Sequence, residues 1–170
     1  MLLVAITGRK KSGKTRLAES LANSLSGKWK VAFMKHIHHA GEPLDRVGSD
    51  TYRLTEAGAK AVIGVSPDAI FLRAKMNGED FDLALKLLEV VCSDCDLVLI
   101  EGFHTLLSKR DEVTRIYVAQ DDDEASSVAK ESPAPSFIYC ESCKIEEASG
   151  IKILKSVKEL ADVIEEMLVG

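Results

Sequence analysis

Leu2-Leu3-Val4-Ala5-Ile6-Thr7-Gly8-Arg9-Lys10-Lys11-Ser12-Gly13-Lys14-Thr15-Arg16 is an apolar run that passes directly into the pattern G-x-x-x-x-G-K-T. Five consecutive apolar residues, with Thr7 and then Gly8 after them, predict a buried strand, and the residues from Lys14 predict a helix. A loop from strand to helix lets several backbone N–H groups converge on phosphate oxygens. Lys14 adds a compact positive charge, and the Thr15 hydroxyl is placed to reach a magnesium ion. Gly8, Arg9, Lys10, Lys11, Ser12, Gly13, Lys14, Thr15 and Arg16 are therefore the candidate nucleotide-binding residues.

Outward from this loop, apolar runs alternate with amphipathic stretches, the pattern of a mostly parallel α/β sheet. Strands are predicted at Leu2–Thr7, Lys30–Lys35, Ala61–Ser66, Ile70–Ala74, Asp96–Glu101, Arg115–Val118, Phe137–Cys140 and Ile151–Leu154. Helices are predicted at Lys14–Leu25, Ser49–Gly58, Phe81–Cys92 and Ser156–Leu168. The Ser66-Pro67-Asp68 turn joins two runs too closely for a crossover helix, so this pair is expected as a hairpin that makes the sheet mixed. The expected fold is α/β, three layers, of the P-loop NTPase-like type. Asp121-Asp122-Asp123-Glu124 is expected as a solvated loop or helix start rather than a metal site.

The 170 residues, 46% hydrophobic, fit a single domain spanning 1–170 with a substantial core. A net charge of −5 gives no overall attraction to nucleic acid or anionic lipid. The first apolar run is too short for a signal-peptide core or a membrane span, so a cytoplasmic location is expected.

In open α/β sheets, ligands collect at the carboxyl ends of the strands. Besides the phosphate loop, two stretches are expected there. One is Lys35-His36-Ile37-His38-His39 with the later Asp45 to Arg53 segment, and the other is Leu97-Val98-Leu99-Ile100-Glu101-Gly102-Phe103. Glu101, delivered by an apolar strand, can bind magnesium or orient an attacking water. His36, His38 and His39 can donate hydrogen bonds to an anion, ligate zinc or nickel, or pack.

Cys92/Cys95 and Cys140/Cys143 are two C-x-x-C pairs, a spacing that suggests zinc. The first pair precedes its strand and the second closes one. In parallel strands the pairs then lie roughly 15 Å apart, too far for one ion. Free thiols packed as small apolar groups are expected, with local disulfides or an intersubunit metal site as alternatives. Cys140-Glu141-Ser142-Cys143 ends a strand on the ligand edge, within reach of a nucleotide base.

G-R-K-K-S-G-K-T, M-K-H-I-H-H, D-x-x-G-x-D-T-Y-R, E-A-G-A at Glu56–Ala59 and L-V-L-I-E-G-F together resemble the molybdopterin-guanine dinucleotide biosynthesis adaptor family, protein B. The resemblance covers roughly residues 2 to 116. It implies a GTP-binding protein with weak GTPase activity, a homodimer, that assists the partner enzyme transferring GMP to a molybdenum or tungsten pterin. Carried onto this chain, Thr15, Asp50 and Glu101 would hold Mg²⁺, with Asp50 and Glu101 also serving the hydrolytic water. His36, His38, His39, Arg53 and the Gly48 turn would form a rim for an anion or the cofactor. The chain departs from the pattern at Arg16, where a second threonine or serine is common. No N-K-x-D guanine reader occurs, so guanine preference rests on the resemblance. Two other readings fit the motifs: a nickel-type P-loop metallochaperone GTPase using the histidine and cysteine clusters, and a small-molecule kinase.

Overall fold

The computed structural model describes residues 1–37, 44–76 and 78–170. In chain order its elements are β1 (Leu2–Thr7), α1 (Lys14–Leu25), β2 (Val31–Lys35), α2 (Asp50–Glu56), β3 (Ala61–Val65), β4 (Ile70–Ala74) and α3 (Phe81–Val91). They continue as β5 (Leu97–Glu101), α4 (His104–Leu107), β6 (Val113–Val118), α5 (Asp122–Val128), β7 (Phe137–Tyr139), β8 (Glu147–Ala148), β9 (Ile151–Leu154) and α6 (Val157–Val169). Contacts divide the chain into two compact units, Met1–His36 with Ala84–Gly170, and Ile37–Leu83.

The larger unit is built on a seven-stranded sheet in the order β2-β5-β1-β6-β7-β9-β8. All neighbours run parallel except β8 against β9. β1 and β5 are buried along almost their whole length, as central parallel strands covered on both faces must be. Side-chain alternation along the strands separates two cores. Ile6, Leu99, Ile116 and Leu154 pack with Leu17 and Leu21 of α1 and Leu160 and Ile164 of α6. Ile138 and Ile153 pack instead with Ala125 and Val128 of α5. The sheet is thus sandwiched between helices, the expected α/β fold with a mostly parallel mixed sheet. Chain order places β5 and β6 on opposite sides of β1, so the carboxyl end of β1 is a crevice between diverging connections.

The smaller unit holds α2 and the antiparallel pair β3–β4, in register from Ala61 opposite Ala74 to Val65 opposite Ile70. The hairpin forms as the Ser66-Pro67-Asp68 turn predicts. It is a separate two-stranded sheet, however, and the antiparallel member of the main sheet is β8. A tight turn fixes the partner of a strand but not the sheet that the pair joins. Ile63, Val65, Ile70 and Leu72 share one face of the hairpin and are all exposed. Ser49 caps α2 by accepting from the Tyr52 backbone N–H at 3.1 Å.

Candidate phosphate site at the end of the first strand

Thr7 ends β1 and Gly8 turns the chain with φ 143°. A Cβ at Gly8 would lie 2.8 Å from the Val118 carbonyl oxygen and 2.9 Å from Ser12 Oγ, so close backbone approach as well as conformation requires glycine. Lys11 takes a left-handed φ of 66° and Gly13, the residue capping α1, a φ of 91°. The loop then curls back under itself, with the Ser12 N–H donating to the Arg9 carbonyl at 3.2 Å.

α1 differs from α2, α5 and α6, whose starts are capped by the side chains of Ser49, Asp121 and Ser156. No side chain caps α1 and no acidic residue lies in its first turn. Its leading N–H groups and the positive end of its dipole therefore face the loop unscreened, which favours an anion there. The Ser12 hydroxyl is buried without a hydrogen-bond partner, although buried hydroxyls are ordinarily satisfied. A phosphate oxygen would supply the missing partner.

Lys14 Nζ donates to the carbonyls of Gly8 at 3.1 Å and Arg9 at 2.6 Å, which folds it across the loop. Burial holds the lysine below its ordinary pKa, with Glu101 pulling it up and Lys35 pushing it down. On the other side, Thr15 Oγ1 lies 2.9 Å from both Glu101 oxygens, and Lys35 Nζ lies 3.6 Å from Oε2. Glu101 is only 9% exposed. A hydroxyl and a carboxylate brought together in this way are the hard oxygen donors that magnesium takes. The phosphate loop and the end of β5 are thus assembled at one place.

The remaining predicted residues separate into three groups. His36 follows β2 beside β5: its N–H donates to the Glu101 carbonyl at 2.9 Å, and its Nδ1 accepts from the Phe103 N–H at 3.3 Å. Its ring also stacks on Phe103 at 4.5 Å. A Cβ at Gly102 would meet His36 Cβ at 2.7 Å, so the E-G-F turn depends on glycine. Asp50 and Arg53 lie on α2 in the smaller unit, 3.9 Å apart as an exposed pair. His38 and His39 lie outside the described residues.

Two expectations are corrected. The cysteines are not free thiols: Cys92 is bonded to Cys95 and Cys140 to Cys143. Each C-x-x-C turn brings its two Cα atoms to 5.4 Å, within the range that a disulfide spans. The pairs do sit at opposite ends of parallel strands, one before β5 and one after β7. The acidic run is the start of α5 as predicted, but its last member is not solvated. Glu124 is 7% exposed. It accepts from Tyr117 OH and the Gln120 N–H, both at 2.9 Å, and pairs with Arg9 Nε at 3.0 Å. Gln120 Nε2 in turn donates to the Ser12 carbonyl at 3.1 Å. Glu124 and Gln120 brace the phosphate loop from the end of β6. The D-x-x-E spacing was the available signal, since a cap at Asp121 turns Glu124 back toward the chain before the helix.

An unscreened helix start, a glycine loop, a lysine across it and a threonine–glutamate pair from the adjacent strand define a P-loop NTPase-like protein. The family model for molybdopterin guanine dinucleotide synthesis protein B, MobB, matches residues 3–132, and the chain belongs to that family. It is 36% identical over 125 residues to the putative molybdopterin-guanine dinucleotide biosynthesis adapter protein of Methanocaldococcus jannaschii, covering 72% of this chain and 49% of that one. To the Escherichia coli adapter protein it is 31% identical over 121 residues, covering 70% and 66%. The chain thus spans about half to two thirds of the length of these curated relatives. A crystal structure of molybdopterin-guanine biosynthesis protein B superposes with a TM-score of 0.69 at 25% identity, covering 99% of this chain and all of that one. The hydrogenase maturation factor HypB of Archaeoglobus fulgidus aligns with a TM-score of 0.56 at 21% identity, covering 99% of this chain and 90% of that one. That likeness is one of fold, and family membership supports neither the metallochaperone nor the kinase reading. Among the described residues no helix is long and apolar enough to cross a membrane.

Proposed function

We propose that this chain is a GTP-binding adapter in molybdopterin guanine dinucleotide biosynthesis, acting with the enzyme that attaches GMP to the molybdenum or tungsten pterin. The observation that carries this reading is the unscreened start of α1 with the orphaned Ser12 hydroxyl, set beside the Thr15–Glu101 pair. The backbone of Gly8 to Gly13 and Lys14 bind the β- and γ-phosphates, and Arg16 reaches toward the α-phosphate. Thr15 and Glu101 would hold Mg²⁺, which would supply charge neutralisation of the phosphates. Glu101 also accepts a hydrogen bond from the water that attacks the terminal phosphate. Hydrolysis is weak on this reading, as the family resemblance implies.

On this reading His36, at the end of β2 beside Glu101, contributes an N–H donor toward the anionic pterin or its phosphate. The protein works in the cytoplasm as one P-loop domain over 1–170 and pairs with a second copy. The exposed apolar face of Ile63, Val65, Ile70 and Leu72 supports such pairing, since contiguous apolar surface favours association.

Calorimetric titration with GTP, GDP and ATP, with and without magnesium, tests the reading. Magnesium-dependent binding of GTP is expected. Absence of any triphosphate binding by folded protein overturns it.

A further inference from the structure

A cavity of about 310 Å³ opens beside the phosphate loop in the larger unit. It is lined by Lys11, Ser12, Gly13 and Arg16 from the loop and α1 and by Gln120, Tyr139, Glu141 and Ser142 from the ends of β6 and β7. A nucleotide held by its phosphates at the loop would have the residues at the ends of β6 and β7 in the same cavity to receive its base. Glu141 is the one carboxylate among the described residues that line this cavity.

The other polar side chains at this edge are already committed. Gln120 donates to the phosphate loop. Asp121 caps α5 by accepting from the Glu124 N–H at 2.8 Å. Asp122 accepts from the backbone N–H groups of Lys144 at 2.8 Å and Ile145 at 3.3 Å. Those last two bonds also hold the segment that carries Glu141. The segment is tied further by Ser142 Oγ donating to the Gln120 carbonyl and by the Cys140–Cys143 bond. Tyr139 OH donates to Glu141 Oε1 at 2.6 Å and fixes the carboxylate's direction. Burial and this bond hold the Tyr139 phenol above its ordinary pKa, so it stays a donor at neutral pH.

We infer that Glu141 reads the base: its carboxylate accepts the two adjacent N–H donors of guanine, N1–H and the exocyclic amine, with Tyr139 as a positioning residue. Adenine turns an acceptor, N1, toward the same place beside its amine, and a carboxylate repels it. The absent N-K-x-D element is thereby replaced by a carboxylate on the loop after β7. This inference rests on the guanine nucleotide reading above and assigns the residue that sets it.

The test is calorimetric titration of wild type, Glu141→Gln and Tyr139→Phe with GTP, ATP, xanthosine triphosphate and inorganic pyrophosphate. Xanthine keeps N1–H but carries a carbonyl where guanine has its amine, so a glutamine amide suits it. Glu141→Gln is expected to lose GTP affinity by about 10- to 100-fold and to gain for xanthosine triphosphate by a similar factor. Pyrophosphate affinity is expected to stay unchanged. Tyr139→Phe is expected to lose part of the GTP preference with no gain for xanthine. If Glu141→Gln keeps the wild-type preference for GTP over ATP, the inference is overturned while the triphosphate site stands. If wild type does not prefer GTP to ATP, the guanine reading falls and Glu141 with it. If wild type binds neither triphosphates nor pyrophosphate, the phosphate site itself is wrong.

Discussion

Lys14→Ala tests the phosphate site most directly. The ammonium spans the loop between the Gly8 and Arg9 carbonyls, and a bound phosphate would take it from those neutral acceptors to an anionic one. A charge-assisted hydrogen bond of this kind contributes about 1.5–3 kcal/mol. At about 1.4 kcal/mol per decade, the substitution should weaken triphosphate binding by roughly 10- to 150-fold. Pyrophosphate should lose a similar factor, because the lysine touches phosphate and no other part of the ligand. The carbonyls released are not deeply buried, so water can replace the lysine and the fold should lose under about 1 kcal/mol. Burial already lowers the Lys14 pKa, and a phosphate favours the charged form. Affinity should therefore fall as pH rises toward the lysine's titration, a dependence that the alanine variant should lack. Calorimetry at several pH values, with circular dichroism as the folding control, reads all of these effects. Unchanged triphosphate affinity in a folded variant would refute the reasoning, since it would leave the loop without a working phosphate contact.

Glu101→Gln should behave differently from Lys14→Ala, with slower hydrolysis and altered magnesium dependence but only modest loss of affinity, read by turnover and titration against magnesium. Glu124→Ala leaves Tyr117 OH, the Gln120 N–H and Arg9 without their shared acceptor. It should cost about 2–4 kcal/mol of stability in denaturant unfolding and loosen the phosphate loop, so an unchanged midpoint would mean that Glu124 does not brace the loop. Tyr117 is pushed up to about 12 by burial and its bond to Glu124. Because its folded pKa is raised, the bond's contribution is complete below pH 10 and is lost as pH rises toward 12. Ultraviolet titration should accordingly show a late phenol that Tyr117→Phe removes.

How much of this was legible beforehand follows from the range of each interaction. β1, β4, β9 and α1 fall at their predicted limits because short apolar runs, glycine at Gly8 and the Ser66-Pro67-Asp68 turn act within a few residues. The phosphate loop is likewise local. Its donors are consecutive backbone N–H groups, so the G-x-x-x-x-G-K-T spacing specifies the site before any tertiary contact exists. Glu101 was also within reach, because a carboxylate ending an apolar strand is costly unless it is paired or coordinated.

The brace behind the loop was legible only in part. The D-x-x-E spacing marks Glu124 as turned back toward Gln120, but its acidic run reads by composition as solvated, and the pairing with Arg9, from 115 positions away in sequence, depends on the tertiary fold. The sequence put Glu141 on the ligand edge, but that Tyr139 and Glu141 line one cavity with Arg16 depends on β7 docking two strands from β1. The thiols of the two C-x-x-C turns give the same lesson, because bonding depends on the backbone path between them rather than on spacing. By itself, then, the sequence determined the phosphate-binding class, through short-range backbone chemistry that few residues can satisfy. Only the tertiary structure decided which side chains support that loop and which line the cavity beside it, because strand order, not sequence order, sets the neighbours across a parallel sheet.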